Sequence, residues 1–291
     1  MAAALQDSPS AVTPRRRAPD GDIPTLDWEG RPLDCSACPY HALRGQPEPK
    51  GCEPGHSCVQ DAYARRIDRF FRAHRELARE QLRHPYFEVR AIAARYVDPF
   101  QLPALLHDPD ETVRLQVALR VPQRLLRDML GDPHREVRIR VAQRIDSDQL
   151  SRLVTDPDYE VRATVARRLP TALLPLLVTD PDVQVRCAVA RRLEMPTLWR
   201  LVADAAPEVR CLVAERLPAS LLAPLLRDAE WRVRWEAAGR APADLAPLLR
   251  ECLNDEDAEV RLRALERLSE LDLPPCDPVA TPEVTHGRHR P

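Results

Sequence analysis

The dipeptide Val-Arg returns every 24 residues: Val89-Arg90, Val113-Arg114, Val137-Arg138, Val161-Arg162, Val185-Arg186, Val209-Arg210 and Val233-Arg234. One more copy, Val260-Arg261, follows after 27, so three residues are inserted near Cys252 to Asn254. A unit this small cannot bury its own apolar face, whereas stacked neighbours can. The period therefore predicts a solenoid with a continuous thin core.

Each unit reads close to D-P-D-x-E-V-R-x-x-V-A-R-R-L-P-x-x-L-L-x-x-L-L. Asp108, Asp132, Asp156 and Asp180 are expected to cap helices, because a carboxylate accepts bonds from the free N–H groups of a first turn. Pro109, Pro133, Pro157 and Pro181 are expected at the first helical position, where no N–H is needed. Asp110, Asp158 and Asp182 add negative charge near the positive end of the helix dipole. With Val161 as origin, the apolar positions are Val161, Val165, Ala166 and Leu169, which fall within an arc of about 140° and form one buried face. Pro170 then ends the helix. The second half of the unit carries apolar pairs such as Leu173-Leu174 and Leu177-Val178, often with a second proline (Pro175, Pro224, Pro247). It is too short and interrupted for a long α-helix, so a 3₁₀ segment or a single turn is expected.

Composition agrees with an all-α chain. There are 30 Pro and only 8 Gly, which suits many short helices and few tight hairpins. Positive and negative residues number 43 and 45, a net charge of -2, which argues against bulk attraction to nucleic acid or membrane. Lys50 is the only lysine, so the positive charge is arginine. No apolar run reaches the roughly 20 residues of a membrane span. Arg15, Arg16 and Arg17 lack the apolar stretch of a secretory signal, so a cytoplasmic location with reduced thiols is expected.

The expected organisation is a disordered tail over 1–22 and a Cys-rich domain over 23–60. A linking and capping helix over 59–83, eight repeats over 84–271 and a Pro-rich tail over 272–291 follow. The linking helix is read from Val59, Tyr63, Ile67, Phe70, Phe71, His74, Leu77 and Leu82, which keep a three-to-four spacing.

Two arginine columns follow from the period. The Val-Arg arginines fall inside the arc of the buried face. They are expected between units, bonded to cap carboxylates or helix carbonyls. The second column is Arg120, Arg144, Arg168, Arg192, Arg216, Arg240 and Arg267, with Tyr96 in the first unit. It lies at the edge of the face and is open to either a solvated or a structural role.

Four cysteines stand within 24 residues, as Cys35-x₂-Cys38-x₁₃-Cys52-x₅-Cys58. The segment around them has too few apolar residues to fold alone, and a metal centre would supply the missing cross-links. Four thiolates suit a tetrahedral zinc site or an iron–sulfur cluster. The long second gap and Pro39 after Cys38 favour iron–sulfur, with zinc the alternative. His41 and His56 are expected in solvent. Cys187 and Cys211 are expected to be packing residues, and Cys252 and Cys276 show no ligand spacing.

This four-cysteine segment, followed by units such as Asp156-Pro157-Asp158-Tyr159-Glu160-Val161-Arg162, resembles the leucine-rich repeat variant proteins of nitrogen-fixing bacteria. The likeness covers about residues 30 to 271. HEAT-like repeats share the Asp…Val-Arg core but have longer units. The resemblance implies alternating α- and 3₁₀-helices in a right-handed superhelix without a sheet. It also implies a small N-terminal 4Fe-4S domain whose ligands would be Cys35, Cys38, Cys52 and Cys58. It carries an association with nitrogen-fixation gene regions but no defined activity.

Two functions follow as expectations. One is a redox-linked scaffold, in which a cluster transfers an electron or senses oxygen or iron while the array holds an unidentified, redox-type protein partner. The other is a nucleic-acid binder that uses its arginine columns, with a structural zinc or iron–sulfur domain. There is no Gly-rich phosphate loop, no H-E-x-x-H and no G-x-S-x-G, so the motifs do not point to an enzyme.

Overall fold

The computed structural model describes residues 23–47 and 50–275. The expectations for a tail over 1–22, for residues 276–291 and for Cys276 fall outside the described residues. The chain divides into two compact units, Met1–Asp128 and Met129–Pro291.

In the first unit, α1 (Ala64–Ala73) is followed by a 3₁₀ segment, Arg75–Arg83, and α2 (Phe87–Tyr96) by another, Pro99–Leu105. The long helix α3 (Glu111–Arg120) is followed by the short α4 (Gln123–Leu126). In the second unit, α5 (Arg135–Arg144), α6 (Tyr159–Arg168) and α7 (Val183–Ala190) alternate with the 3₁₀ segments Ser147–Leu153, Thr171–Leu177 and Thr197–Leu201. Then come α8 (Pro207–Arg216), α9 (Trp231–Arg240), α10 (Ala246–Cys252) and α11 (Ala258–Glu270), with short 3₁₀ turns between α8, α9 and α10. Among the described residues there is no strand, only isolated bridges. No helix among them is long and apolar enough to cross a membrane.

The predicted buried face is the observed one. Val161, Val165, Ala166 and Leu169 are all fully buried, as are Val209, Val213, Ala214 and Leu217 two units later. Four of the helices stop where proline dictates. Val121, Leu169, Leu217 and Ala241 leave the helical region immediately before Pro122, Pro170, Pro218 and Pro242, because a proline ring excludes the α conformation from its predecessor. Leu150, Leu174 and Leu222 then turn inward from the second halves and fill the space between neighbouring units. The three-residue insertion falls just where the 3₁₀ pattern gives way to α10.

The capping expectation is corrected by two residues. Asp110, Asp158, Asp182 and Asp257 are the N-caps, accepting from Thr112, Glu160, Gln184 and Glu259 N–H respectively. Asp108, Asp156 and Asp180 stand upstream, each taking the N–H of its own second neighbour. The prolines between them therefore precede the helix. The reason is a division of labour: the first carboxylate is occupied by an arginine of the preceding unit.

That arginine is the Val-Arg column. Arg90 holds Asp108 with Nε–Oδ2 and Nη2–Oδ1 distances of 2.8 Å each, and its Nη1 donates to the His84 and Pro85 carbonyls. Arg138–Asp156, Arg162–Asp180, Arg186–Asp204 and Arg210–Asp228 repeat the arrangement. Arg234 keeps it across the insertion by taking Asp255. The second column is structural as well. Arg120 donates to Ala94 O, Arg168 to Ala142 O and Ile145 O, Arg192 to Ala166 O, and Arg216 to Ala190 O and Leu193 O. Arg240 reaches Ala214 O and Leu217 O, and Arg267 reaches Ala241 O. Each caps the unsatisfied carbonyls at the end of the preceding helix, a favoured place for a cation.

The single linking helix expected from Val59 to Leu82 is also corrected. Asp61 Oδ1 accepts the Tyr63 N–H at 2.8 Å and keeps this stretch out of the helix. His74 leaves the helical region at φ -128 and ψ 61, and a 3₁₀ segment follows. The product is a further α/3₁₀ pair in register, since Arg66 stands 24 residues before Arg90.

Candidate metal centre

The four clustered cysteines are positioned by short-range backbone bonds. Asp34 Oδ1 accepts the Ser36 N–H at 2.8 Å and its hydroxyl at 2.6 Å, turning the loop between Cys35 and Cys38. Those bonds, the hydroxyl's first, hold the Asp34 carboxyl below its usual range. Cys38 O accepts the His41 N–H at 3.0 Å and starts the 3₁₀ turn His41–Leu43. The Cys52 N–H returns to Leu43 O at 3.2 Å, bringing the third cysteine alongside the first two. Gly51 is required here: a Cβ would overlap the Gln46 carbonyl. Gly55, at φ +81, makes the turn that closes Glu53 on Ser57. Cys58 then donates its N–H to Arg66 O at 3.3 Å, which ties the fourth cysteine to α1.

Cys35, Cys38, Cys52 and Cys58 all line one narrow cavity, together with Leu33, Asp34, His41, Arg44, Pro54 and Gln60. His56 is not among its walls. His41 is exposed, with Nδ1 3.2 Å from Cys38 O. Burial pushes the Cys58 thiol up to about 12; the Gln60 N–H opposes this, and Asp61, Cys38 and Cys52 add to it. Burial likewise raises Cys52, helped by Cys38 and Cys35. Thiols that raise one another in this way ionise readily only around a cationic centre.

The donor set fits an iron–sulfur centre: four soft sulfur donors, apolar walls in Leu33 and Pro54, and a backbone N–H on one sulfur. Among the described residues, no three or more His, Cys, Asp or Glu side chains converge at the spacing of a single ion.

Three contacts fasten this segment to the helices of its unit. Arg66 pairs with Asp61 at 3.1 Å, both side chains almost fully buried, and donates to the Pro24 and Ile23 carbonyls. The Tyr40 hydroxyl donates to Glu80 at 2.9 Å, accepts from Gln81 at 2.6 Å, and its ring packs 5.6 Å from Phe70. Burial and Glu80 push that phenol up to about 12. Trp28 meets His84 edge-on at 4.5 Å, and His84 occupies the register position where later units carry the ladder aspartate. Arg44, Asp61 and Arg66 are absent from the sequence-based site. Arg66 was discoverable, because it continues the arginine column one period upstream.

The remaining described cysteines are separate. Cys187 and Cys252 are buried packing residues, and Cys211 is half-buried.

Fold and site together define a helical repeat protein with a cysteine-rich head. Residues 25–80 match the family model described as LRV protein FeS4 cluster. Residues 87–110 and 159–182 match that of the leucine rich repeat variant. A solved structure described as a leucine-rich repeat variant with a novel repetitive structural motif is 42% identical, with a TM-score of 0.75. The match covers 81% of this chain and 99% of that one. The chain belongs to the leucine-rich repeat variant family. It is also 49% identical over 104 residues to an uncharacterized 27.7 kDa protein in the nifB 3′ region of Rhodobacter capsulatus. That match spans 36% of this chain and 41% of the relative.

Proposed function

We propose that Cys35, Cys38, Cys52 and Cys58 hold a 4Fe-4S cluster, and that the protein is a redox-linked scaffold for a protein partner in the cytoplasm. The observation that carries this reading is the single cavity lined by all four thiols. Bound there, the cluster supplies one-electron chemistry. The chain's own residues hold and shield it: Leu33 and Pro54 exclude water, Gln60 places an N–H on the Cys58 sulfur, and Arg66–Asp61 fixes the segment to α1. The relative from the nifB 3′ region supports a link to nitrogen fixation.

Anaerobic purification tests the proposal. The expected product is brown, with about four iron and four sulfide per chain, and loses both on replacement of any of the four cysteines by serine. A colourless protein containing zinc and no sulfide would overturn it. The nucleic-acid reading draws no support from the arginine columns, whose guanidinium groups are spent on carboxylates and carbonyls of neighbouring units.

A further inference from the structure

The second unit carries a pocket of about 490 Å³ formed by α8, α9 and α11. Its aromatic wall is Trp231 and Trp235, one helical turn apart on α9 and 36% and 38% exposed. Its acidic wall is Glu215, Glu236 and Glu259. The register position of Trp235 holds Ala163, Cys187 and Cys211 in the three preceding units and the aliphatic Leu115, Ile139 and Leu262 in others. Trp235 puts an aromatic ring there, and the ring is left partly in solvent.

The carboxylates lack a cation of their own. Among the described residues, none of the three takes part in an ion pair. Arg240 and Arg263 act on Glu236 from a distance but are held elsewhere. Arg240 sits on the Ala214 and Leu217 carbonyls, and Arg263 on Glu266 and Glu270. Burial and the Glu215 charge raise the Glu236 carboxyl, against the opposing charges of Arg240 and Arg263. The rings already attract guanidinium groups. Arg232, also at the pocket, lies 5.4 Å over Trp231, and Arg263 lies 5.7 Å over Trp235.

We propose that this pocket receives an arginine side chain presented by a protein partner, stacked on Trp235 and facing Glu215 and Glu236. A guanidinium matches both walls at once: its flat face suits indole and its N–H fork suits carboxylates. Trp and Arg are both enriched among the few residues that carry most of the binding energy at protein interfaces. The inference concerns a site remote in sequence from Cys35, Cys38, Cys52 and Cys58, although Cys211 lines it, and is independent of the cluster.

The test uses the full chain with Trp28→Phe and Trp199→Phe, excited at the red edge where tyrosine does not absorb, so that the signal comes from Trp231 and Trp235. It is titrated with a blocked Gly-Arg-Gly-Arg-Gly peptide, the same peptide with Gln for Arg, and free guanidinium chloride. The arginine peptide should give a saturable change with a dissociation constant in the roughly micromolar to millimolar range. The glutamine peptide should give none. Glu215→Gln with Glu236→Gln, which keeps shape and fold, should weaken binding at least about tenfold, as should Trp235→Ala. No saturable response, an equal response to the glutamine peptide, or binding indifferent to the double substitution overturns the proposal. Guanidinium binding as well as the peptide also overturns it, by marking a small-cation pocket rather than a partner contact.

Discussion

Arg162 holds both oxygens of Asp180, at 2.7 and 2.9 Å, from 18 residues upstream, and the same guanidinium donates to the Asp156 and Pro157 carbonyls. One side chain therefore closes the start of its own helix and grips the start of the next unit. The pair is 11% and 3% exposed, dry enough for charge-assisted bonds to count and wet enough to avoid full desolvation.

Replacing Arg162 by Ala should cost about 2–3 kcal/mol, because it leaves a buried carboxylate and two carbonyls short of a donor. Asp180→Ala should cost a similar amount, and the double variant clearly less than the sum. Urea denaturation of the four proteins measures the coupling. Strict additivity would mean that the rung does not act as a unit.

Acid should weaken the two rungs that end at Asp228 and Asp255. Arg234 holds the Asp255 carboxyl below its ordinary value through hydrogen bonds, assisted by the Asp257 N–H. At Asp228 burial pushes the other way, but the bonds from Arg210 and the Glu230 N–H more than offset it. A depressed folded value means that the stabilisation is present above the unfolded value of about 4 and is lost as pH falls through the folded one. The urea midpoint should therefore drop steeply below about pH 4. Asp255→Asn should be less stable at pH 7 and flatter with pH; an unchanged slope would contradict the assignment.

The second column makes a separate claim. Arg168 caps the Ala142 and Ile145 carbonyls at 2.6 and 2.9 Å. Arg168→Met keeps the aliphatic stem and removes the donors, so it should cost about 1–3 kcal/mol by urea denaturation. A column that served only solvent or phosphate would show no such loss.

The period and the buried face were legible in the sequence because the seven units from Val89 to Val233 repeat Val, Val or Ala, Ala and an aliphatic residue at fixed offsets. The caps were not, since Asp108 and Asp110 both satisfy the rule for an N-cap. Only the pairing of Asp108 with Arg90, 18 residues away, decides between them. The role of the second column was hidden for the same reason: its acceptors are main-chain carbonyls 23 and 26 residues upstream, invisible to side-chain pattern. The pair formed by α1 and Arg75–Arg83 was masked because Arg65 and His84 replace the repeat's valine and aspartate. At the cysteine site, spacing picked out the four thiols that share one cavity, whereas the Arg66–Asp61 lock is a tertiary contact.

That lock makes a prediction about docking. Asp61→Ala leaves Arg66 buried without its carboxylate, and breaking such a pair costs about 3–5 kcal/mol. The loss should be local to residues 23–60, which Arg66 then holds only through the Ile23 and Pro24 carbonyls. Limited proteolysis should cut the Cys-rich segment at least about tenfold faster, while the far-ultraviolet helical signal stays near that of the parent. A protein that loses its helices as well would show that α1 needs this pair to form.

Cys252 offers a check on the interior of the second unit. Its thiol is 5% exposed, lies 3.8 Å from Leu226 O, and is pushed up to about 11 by burial, then by Asp255 and Glu251. A raised value means less thiolate at a given pH. At pH 8 the ionised fraction falls roughly 200-fold relative to a free cysteine, and the greater intrinsic nucleophilicity of a weaker acid returns about tenfold of that. Iodoacetamide should therefore label Cys252 at least about twenty-fold more slowly in the folded protein than in urea, read peptide by peptide by mass spectrometry. Labelling at the unfolded rate would mean that α10 opens readily. Its packing through Leu249 and Cys252 would then contribute little to the end of the array.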